Sequence, residues 1–560
     1  MRSFKWCSLL LIGLRGTTAA QSQIAKVYPS DDNYPKPSDW AQFNSTISGK
    51  LIAAALPAAA CYQGNYNAEK CSTTIRWEYY GSEEDPLLVK VPWWSGLTCL
   101  AKVNATGTCT LGNYPSYVVN ASSTEIVSQA LQFANKWNLR VVIKDTGDDF
   151  LRRNVGYGSL SIWTHHFKGI SFEENWIPTA GPAAPPRSAV VFGSGYMVKD
   201  LYAAADKNNK FVTAGTYGSV GAGGGWLQGG GHGFFTNRHG LGVDNVLEFE
   251  VVLPNGKIVI VNNGSYQDLF FALRGGGGGT WGVVTKVTFK THEVETTNAM
   301  RITVTSNNQT LAKWANGMAY LMSTMPSWAD FGLSSYPVMD KRYFDGIFMA
   351  PRRTMEEIGG FITPIADQLH EIGFNVTLRN TTSETYRWQV GNNRVPNPGA
   401  PPQLFGREGL ADRDRVEKIL AYLFERDDFT EPYCLGSGAL PASKEDTGLN
   451  PAWRKTILHF SILPPKQGDA KTVPMVQRAY RRVQDDVEAS IEKISVGSAA
   501  YFNEASYLEP EWQKTFWGSN YPRLLEVKRK YDPNNTLWCS PCVGSEVFIV
   551  KDDRKLYYSQ

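Results

Sequence analysis

Apolar and polar positions along this chain follow two periods, and the stretches where both periods fail carry as much information as those where one holds. From residue 116 the pattern is sharp. YVVN predicts a short strand. Ser122-x-x-Glu125 is a capping-box signature, and the run behind it sets Ile126, Ala130, Phe133, Ala134 and Trp137 on one face of a helix. RVVIKD predicts a buried strand, KDTGDDF (144–150) a loop, and GSLSIWT another strand. This is βαβ-like, with a loop at the C-terminal end of a strand, where ligands bind in α/β architectures. Residues 195–208 (GYMVKDLYAAADKN) predict a helix and FVTAG a strand. LEFEVVLPNGKIVIV predicts a hairpin, with Asn255-Gly256 suited to its tight turn. YQDLFFALRGGGGGTWGVVTKVTF predicts helix, glycine loop and strand.

Elsewhere the pattern is weaker. Residues 21–113 are rich in turn residues and show little periodicity. Residues 297–499 mix strands and helices around a Pro-rich loop, NRVPNPGAPPQ, without a repeat. Residues 500–560 are aromatic-rich and contain a further helix. The divisions expected are therefore 1–20, 21–113, 114–296, 297–499 and 500–560.

Composition narrows the class. With 560 residues, 42% hydrophobic and 19% charged, the chain is long enough for two or more globular domains. A net charge of +3 without a basic run argues against nucleic acid. MRSFKW, CSLLLIGL and TTAAQ read as the three parts of a signal peptide cleaved after Ala20. Asn-x-Ser/Thr sequons begin at Asn44, Asn104, Asn120, Asn263, Asn308, Asn375, Asn380 and Asn534, as in a glycoprotein of the secretory pathway. No later segment reads as a membrane span. Cys61/Cys71 and Cys99/Cys109 are close pairs expected to form two disulfides. Cys434 is expected to be free, and Cys539/Cys542 form a C-x-x-C without a second ligand pair.

Three loops carry the chemistry: 144–150, 215–233 and 274–282. Glycines without Cβ let backbone N–H groups approach an anionic or planar ligand. No G-x-G-x-x-G fingerprint opens a helix after a strand, and no P-loop is present. Three such loops, each beside a strand, point to a pyrophosphate-bearing cofactor.

These loops, with YVVNASSTEIVSQALQFANKWNLRVVIKDTGDDF, GAGGGWLQGGGHGFFTNRHGLGVDNVLEFEVV, DLFFALRGGGGGTWGVVTKVT and YFNEASYLEPEWQKTFWGSNYPRLLEVKRKYDP, resemble the berberine-bridge-enzyme-like FAD-linked oxidoreductases of the vanillyl-alcohol oxidase/p-cresol methylhydroxylase superfamily. Within it, the chain is similar to the secreted fungal isoamyl-alcohol-oxidase-like subgroup. The resemblance implies an α+β fold: a two-part FAD-binding domain of the p-cresol-methylhydroxylase type, plus an α/β substrate domain whose sheet is covered by helices. It also implies that residues 500–560 return to the flavin domain. It sets the FAD pyrophosphate against Thr146, Gly147, Asp148 and Asp149. It sets Gly223, Gly224, Gly225, Gly229, Gly230 and Gly231 along the ribityl chain and ring, with His232 a loop hydrogen-bonder.

Two departures matter. The position of the family's flavin-tethering histidine is Asp148, and that of its tethering cysteine is Tyr217. FAD is therefore expected to be held without a covalent bond, an aspartyl ester through Asp148 being the alternative; Tyr217 is expected to pack on the ring. The family's Gly-Arg-Ser is Arg152-Arg153-Asn154. Without a tether the flavin potential should be lower, and each 30 mV or so of a two-electron couple is about 1.4 kcal/mol. That points to an easily oxidised substrate or to chemistry without net oxidation.

The family's Tyr-x-Asn corresponds to Tyr501 and Asn503, the expected catalytic pair, with Glu504 an alternative base. The histidines do not cluster in sequence, so no metal is expected. The expected activity is FAD-dependent oxidation of an alcohol or related C–H or C–N centre of a small molecule, with O2 as re-oxidant, by a monomer serving fungal secondary metabolism. The alternative is a flavin-fold cyclase or pericyclase without net redox.

Overall fold

The strand–helix–strand reading at 117–163 holds. In the computed structural model, Tyr117–Asn120 and Val141–Lys144 both lie parallel to Leu160–Trp163, and Leu51–Ala53 adds antiparallel at the edge. The structure describes residues 23–559 except 81–82, 88, 90–91, 103–104, 384–399, 427–431, 437–442, 444 and most of 463–494. The leader expected at 1–20, the sequon at Asn104 and most of the Pro-rich loop lie outside the described residues.

The helix Thr124–Lys136 starts one residue later than its capping signature suggests. Ser123, not Ser122, is the N-cap, and its hydroxyl accepts from the Ile126 N–H. With that register Val127, Ala130, Leu131 and Ala134 are buried, while Ile126, Phe133 and Trp137 pack at the edge of the same cluster. The apolar stripe is wider than a single i, i+4 row, and the sheet selects its centre.

A second sheet of five antiparallel strands has the order Ile170–Trp176, Arg187–Gly193, Val283–Lys290, Val246–Val252, Ile258–Asn262. The last two form the expected hairpin, whose turn requires Gly256 at φ +84°. The helix at 195–208 runs Val198–Lys207. FVTAG is a strand only at its start: Lys210–Phe211 pairs with His292–Glu293. Beyond that pair, the Ala214 carbonyl takes its hydrogen bond from the Tyr202 hydroxyl instead of a neighbouring strand.

The third sheet is antiparallel, in the order Asn375–Ser383, Thr297–Thr305, Tyr343–Pro351, Val338–Met339, Pro432–Gly436, Thr456–Ile462, Ala400–Gly406. Leu311–Phe331, Met355–Ile372 and Arg413–Phe424 cover one face, and Trp314, Met318, Phe344, Phe348, Leu420 and Phe460 meet in their shared core. The molecule is thus α+β, with a helix-covered sheet beside the four-stranded and five-stranded ones.

The last segment builds into the flavin-side core. Phe502, Phe516, Trp517 and Leu524 join Phe249, Phe270, Phe271 and Trp281 in one cluster. Burying each such side chain contributes about 1.5–3 kcal/mol, and the Trp517 indole N–H also donates to the Gly275 carbonyl at 3.1 Å. This docking fixes where residues 501–504 point.

Among the described residues there are three disulfides. Cys61–Cys71 and Cys99–Cys109 pair as expected, and the C-x-x-C closes on itself as Cys539–Cys542. Among the described residues no helix is long and apolar enough to cross a membrane.

Candidate functional site

The three glycine loops converge on one cleft. Its wall includes Thr146, Gly147, Asp148 and Asp149 from the first loop, Gly221 and Gly223–Gly225 from the second, and Gly278 and Gly279 from the third. The loops are tied together through Gln228, whose carbonyl accepts the N–H groups of both Gly275 and Gly277 at 2.9 Å. A Cβ at Gly224 or Gly279 would project with nothing nearer than 3.6 Å, into the space the loops enclose. A Cβ at Gly221 would stand 1.8 Å from Asp145 Oδ2. The glycines thus serve two ends: they bare the backbone toward the cleft, and they let the loops touch.

The four residues of the first loop have different tasks. Asp149 is spent on the loop itself: Oδ1 accepts from the Leu151 N–H and from Arg153 Nε at 2.9 Å, and Oδ2 from the N–H groups of Arg153 and Asn154. Asp148 Oδ2 accepts from the Ser219 hydroxyl at 2.8 Å, which joins the first loop to the second. Arg153, which sequence reading noted only as a departure, lines the cleft. Its guanidinium lies between Asp149 and the side-chain carbonyl of Asn503, 3.0 Å from the latter, with the Phe502 ring below it. Asp145, overlooked in the sequence, is also in the wall.

Of the other predicted positions, Gly229, Gly230, Gly231 and His232 face the C-terminal segment. A Cβ at Gly229 would land 2.3 Å from Asn503 Oδ1, and one at Gly230 would meet the Tyr501 ring at 3.2 Å. The Gly231 N–H donates to Tyr501 Oη at 3.3 Å. Tyr217 sits at a turn, its carbonyl accepting from the Val220 N–H. The loop therefore has two ends, Gly221–Gly225 toward the cofactor cleft and Gly229–His232 toward Tyr501–Glu504.

At that second end is a chain of hydrogen bonds that no sequence motif announced. Asn503 Nδ2 donates to Tyr501 Oη at 2.7 Å and to the Trp226 carbonyl at 3.1 Å. Tyr501 Oη thus accepts from two donors, the arrangement a phenolate needs. Burial and the negative charge of Glu504 oppose them and push the phenol up. His232 Nε2 lies 2.9 Å from Glu504 Oε1, and His232 Nδ1 lies 2.6 Å from Tyr336 Oη. A carboxylate only accepts, so Nε2 carries the ring proton, and Nδ1 of the neutral ring accepts from the Tyr336 hydroxyl. Glu504 is pulled down by His232 and His459 despite its burial. His459 Nδ1 is 3.7 Å from Glu504 Oε2, and burial pushes His459 down to about 4. Neither of its ring nitrogens has a hydrogen-bond partner among the described residues.

The ligating atoms of His232, His459 and Glu504 thus lie within 4.8 Å of one another, though 104 or more residues separate Tyr336, Glu504 and His232 in sequence. The histidines that seemed scattered are brought together by folding.

Comparison with known proteins agrees with this geometry. The family described as FAD binding domain matches residues 115–262, and the family described as berberine and berberine like matches residues 500–543. The FAD-linked oxidoreductase apf9 of Gibberella fujikuroi is 31% identical over 579 residues, covering 97% of each chain. Among solved structures, the VAO-type flavoprotein MtVAO615 of Myceliophthora thermophila C1 superposes with a TM-score of 0.89 at 28% identity, covering 96% of this chain and 100% of that one. The glucooligosaccharide oxidase of Acremonium strictum, whose FAD is 6-S-cysteinyl and 8α-N1-histidyl, shares the fold at 20% identity, with a TM-score of 0.62 and coverage of 78% and 92%.

Proposed function

The chain belongs to the FAD-linked oxidoreductases, and from that premise we propose that it oxidises an alcohol, or a related C–H or C–N centre, of a small organic molecule while holding FAD without a covalent bond. Bound FAD would supply the two-electron acceptor, and O2 is the proposed re-oxidant. Thr146, Gly147, Gly221, Gly223–Gly225, Gly278 and Gly279 would hold it by backbone groups, and Arg153 would offer it positive charge. Entry into the secretory pathway and a role in fungal secondary metabolism remain part of this reading, supported by the disulfides and by the kind of relative the chain matches.

The observation that carries the chemistry is the environment of Tyr501. Two donors aim at its oxygen, Asn503 Nδ2 and the Gly231 N–H. Once its own proton has left to solvent, Tyr501 would take the proton of a substrate hydroxyl; the two donors hold the phenolate oxygen until that transfer, which leaves a neutral phenol. Asn503 is kept in place by Arg153 and the Trp226 carbonyl. The Tyr336–His232–Glu504 chain holds one more proton beside it and sets the charge that Tyr501 feels. Removing the phenol, Tyr501→Phe, should slow anaerobic bleaching of the flavin by alcohols by about 10²–10⁴-fold, the usual worth of a positioned proton acceptor. Unchanged bleaching would remove Tyr501 from the reaction. Product formation with a flavin that never bleaches would favour the cyclase reading instead.

The non-covalent reading rests on both tether positions. Asp148 has its carboxylate engaged by Ser219, and Tyr217 carries no thiol. Acid precipitation should release the yellow colour to the supernatant, and Asp148→His should keep part of it in the pellet.

A further inference from the structure

Asp145 is the least satisfied group in the cofactor cleft. Both of its carboxylate oxygens are shut off from solvent, and neither has a hydrogen-bond partner among the described residues. Its Oδ2 presses on the Cα of Gly221. The nearest basic group, His165 Nδ1, is 3.6 Å from Oδ1, beyond hydrogen-bond reach, and that nitrogen is itself without a partner among the described residues. A buried carboxylate left in this state costs several kcal/mol, whereas a carboxylic acid does not.

The surroundings are acidic on balance. Asp148 and Asp149 share the cleft wall with Asp145, and Arg153, the one arginine in that wall, is already bound to Asp149. Behind Asp145, His165 Nε2 is 3.1 Å from Glu84, and His166 also faces Glu84. Lys144 and Lys168 act on Asp145 only at a distance, because their ammonium groups are tied to the carbonyls of Asp85 and Gly195. Burial outweighs His165 as well as these two cations and pushes the acid up. A pyrophosphate entering here brings further negative charge.

Resting on the reading that FAD occupies this cleft, we propose that Asp145 is an uncharged acid in the FAD-loaded protein, so that the protein takes up a proton as it takes up its cofactor. The acid form removes one of three carboxylate charges from the wall that an anionic group would face. Cofactor retention is then a function of pH, with tight holding in acid and loosening as pH rises.

The test is FAD release from the purified holoprotein, followed by the fluorescence of free flavin after dilution at a series of pH values from 5 to 8. One linked proton makes the Kd for FAD rise with pH, by up to tenfold per pH unit between the acidities of Asp145 in the free and the loaded protein. Asp145→Asn should hold FAD with a Kd that no longer depends on pH, and more tightly than the parent at pH 8, whereas His165→Gln should keep the dependence. A flat wild-type profile, a Kd that falls with rising pH, or a slope that survives in Asp145→Asn overturns the proposal while leaving the cleft assignment intact. Loss of the slope in His165→Gln alone assigns the proton to the imidazole and also overturns it. Flavin retained in an acid-precipitated pellet, or no flavin bound at any pH, overturns the reading of the cofactor site and the proposal with it. Should Asp145→Asn fail to fold, the sign and slope of the wild-type profile still decide.

Discussion

Asp145 and Glu504 are carboxylates at opposite ends of the same glycine loop, and their surroundings push them in opposite directions. Asp145 faces Gly221 with both oxygens unpartnered, and burial raises it. Glu504 receives the Nε2–H of His232 at 2.9 Å and has His459 beyond, and these neighbours lower it although it too is desolvated. Depth does not distinguish them; a donor at hydrogen-bond distance does. The end of the loop expected to meet an anionic cofactor can shed its charge. The end expected to meet the substrate keeps its charge and shares it with an imidazole. Groups pushed apart in this way are how one site manages both anion binding and proton transfer at a single pH.

The largest test of this contrast is acid. His459 and His292 are both lowered to about 4 by burial, against about 6.5 in an unfolded chain. The folded state therefore binds fewer protons than the unfolded state between these values. The stability that comes from keeping the rings neutral is complete above pH 6.5, declines as pH falls, and is gone below pH 4. For His459 the full change is about 3 kcal/mol, at about 1.36 kcal/mol per pKa unit. Thermal unfolding at pH 7, 5.5 and 4 should show Tm dropping in that window, and the drop should shrink in His459→Gln. Asp145 acts with the opposite sign, since its raised acid favours folding at low pH and opposes it as pH rises past its folded value.

Next in size is Glu504→Ala. It leaves the His232 N–H pointing at nothing, and an orphaned buried donor costs about 1–3 kcal/mol. Denaturant midpoints should fall accordingly. The same variant removes the charge that pushes Tyr501 up, so the phenolate absorbance should appear at lower pH. If the phenol does not move, Glu504 does not set its charge. At the cofactor end, Gly221→Ala forces a methyl against Asp145 and should cost about 1–3 kcal/mol of overpacking, with lower flavin content in the purified protein. The smallest effect on folding is expected from Asp145→Asn, within about 1 kcal/mol at pH 7, because the amide has nearly the shape of the uncharged acid that burial favours there.

Legibility followed the range of the interactions. The strands at 117–120, 141–144 and 160–163 could be read from short, mostly apolar runs, and the hairpin from Asn255-Gly256, because period and turn chemistry are local. FVTAG misled, since strand propensity says nothing about whether a partner edge is available. The start of the helix at 124 was off by one residue because adjacent serines offer two caps, and packing on the sheet chose between them. The glycine loops were recognisable as loops for a cofactor; that Gly229–His232 serve Tyr501–Glu504 rather than the cleft was not.

By itself, the sequence determined the three glycine-bared loops and the pairing of Cys61 with Cys71 and of Cys99 with Cys109, while the α+β class and the tether positions came from the family resemblance that those loops carry. Each depends on residues close together in the chain, where period, backbone freedom and residue identity suffice. Only the tertiary structure decided which charges survive. Tyr336 reaches His232 across 104 residues and Glu504 reaches it across 272. Arg153 reaches Asn503 across 350, whereas among the described residues the donor nearest to Asp145, His165 Nδ1, stops at 3.6 Å. Whether a carboxylate keeps its charge depends on the donor that packing delivers within about 3 Å, and no local pattern along the chain encodes that distance.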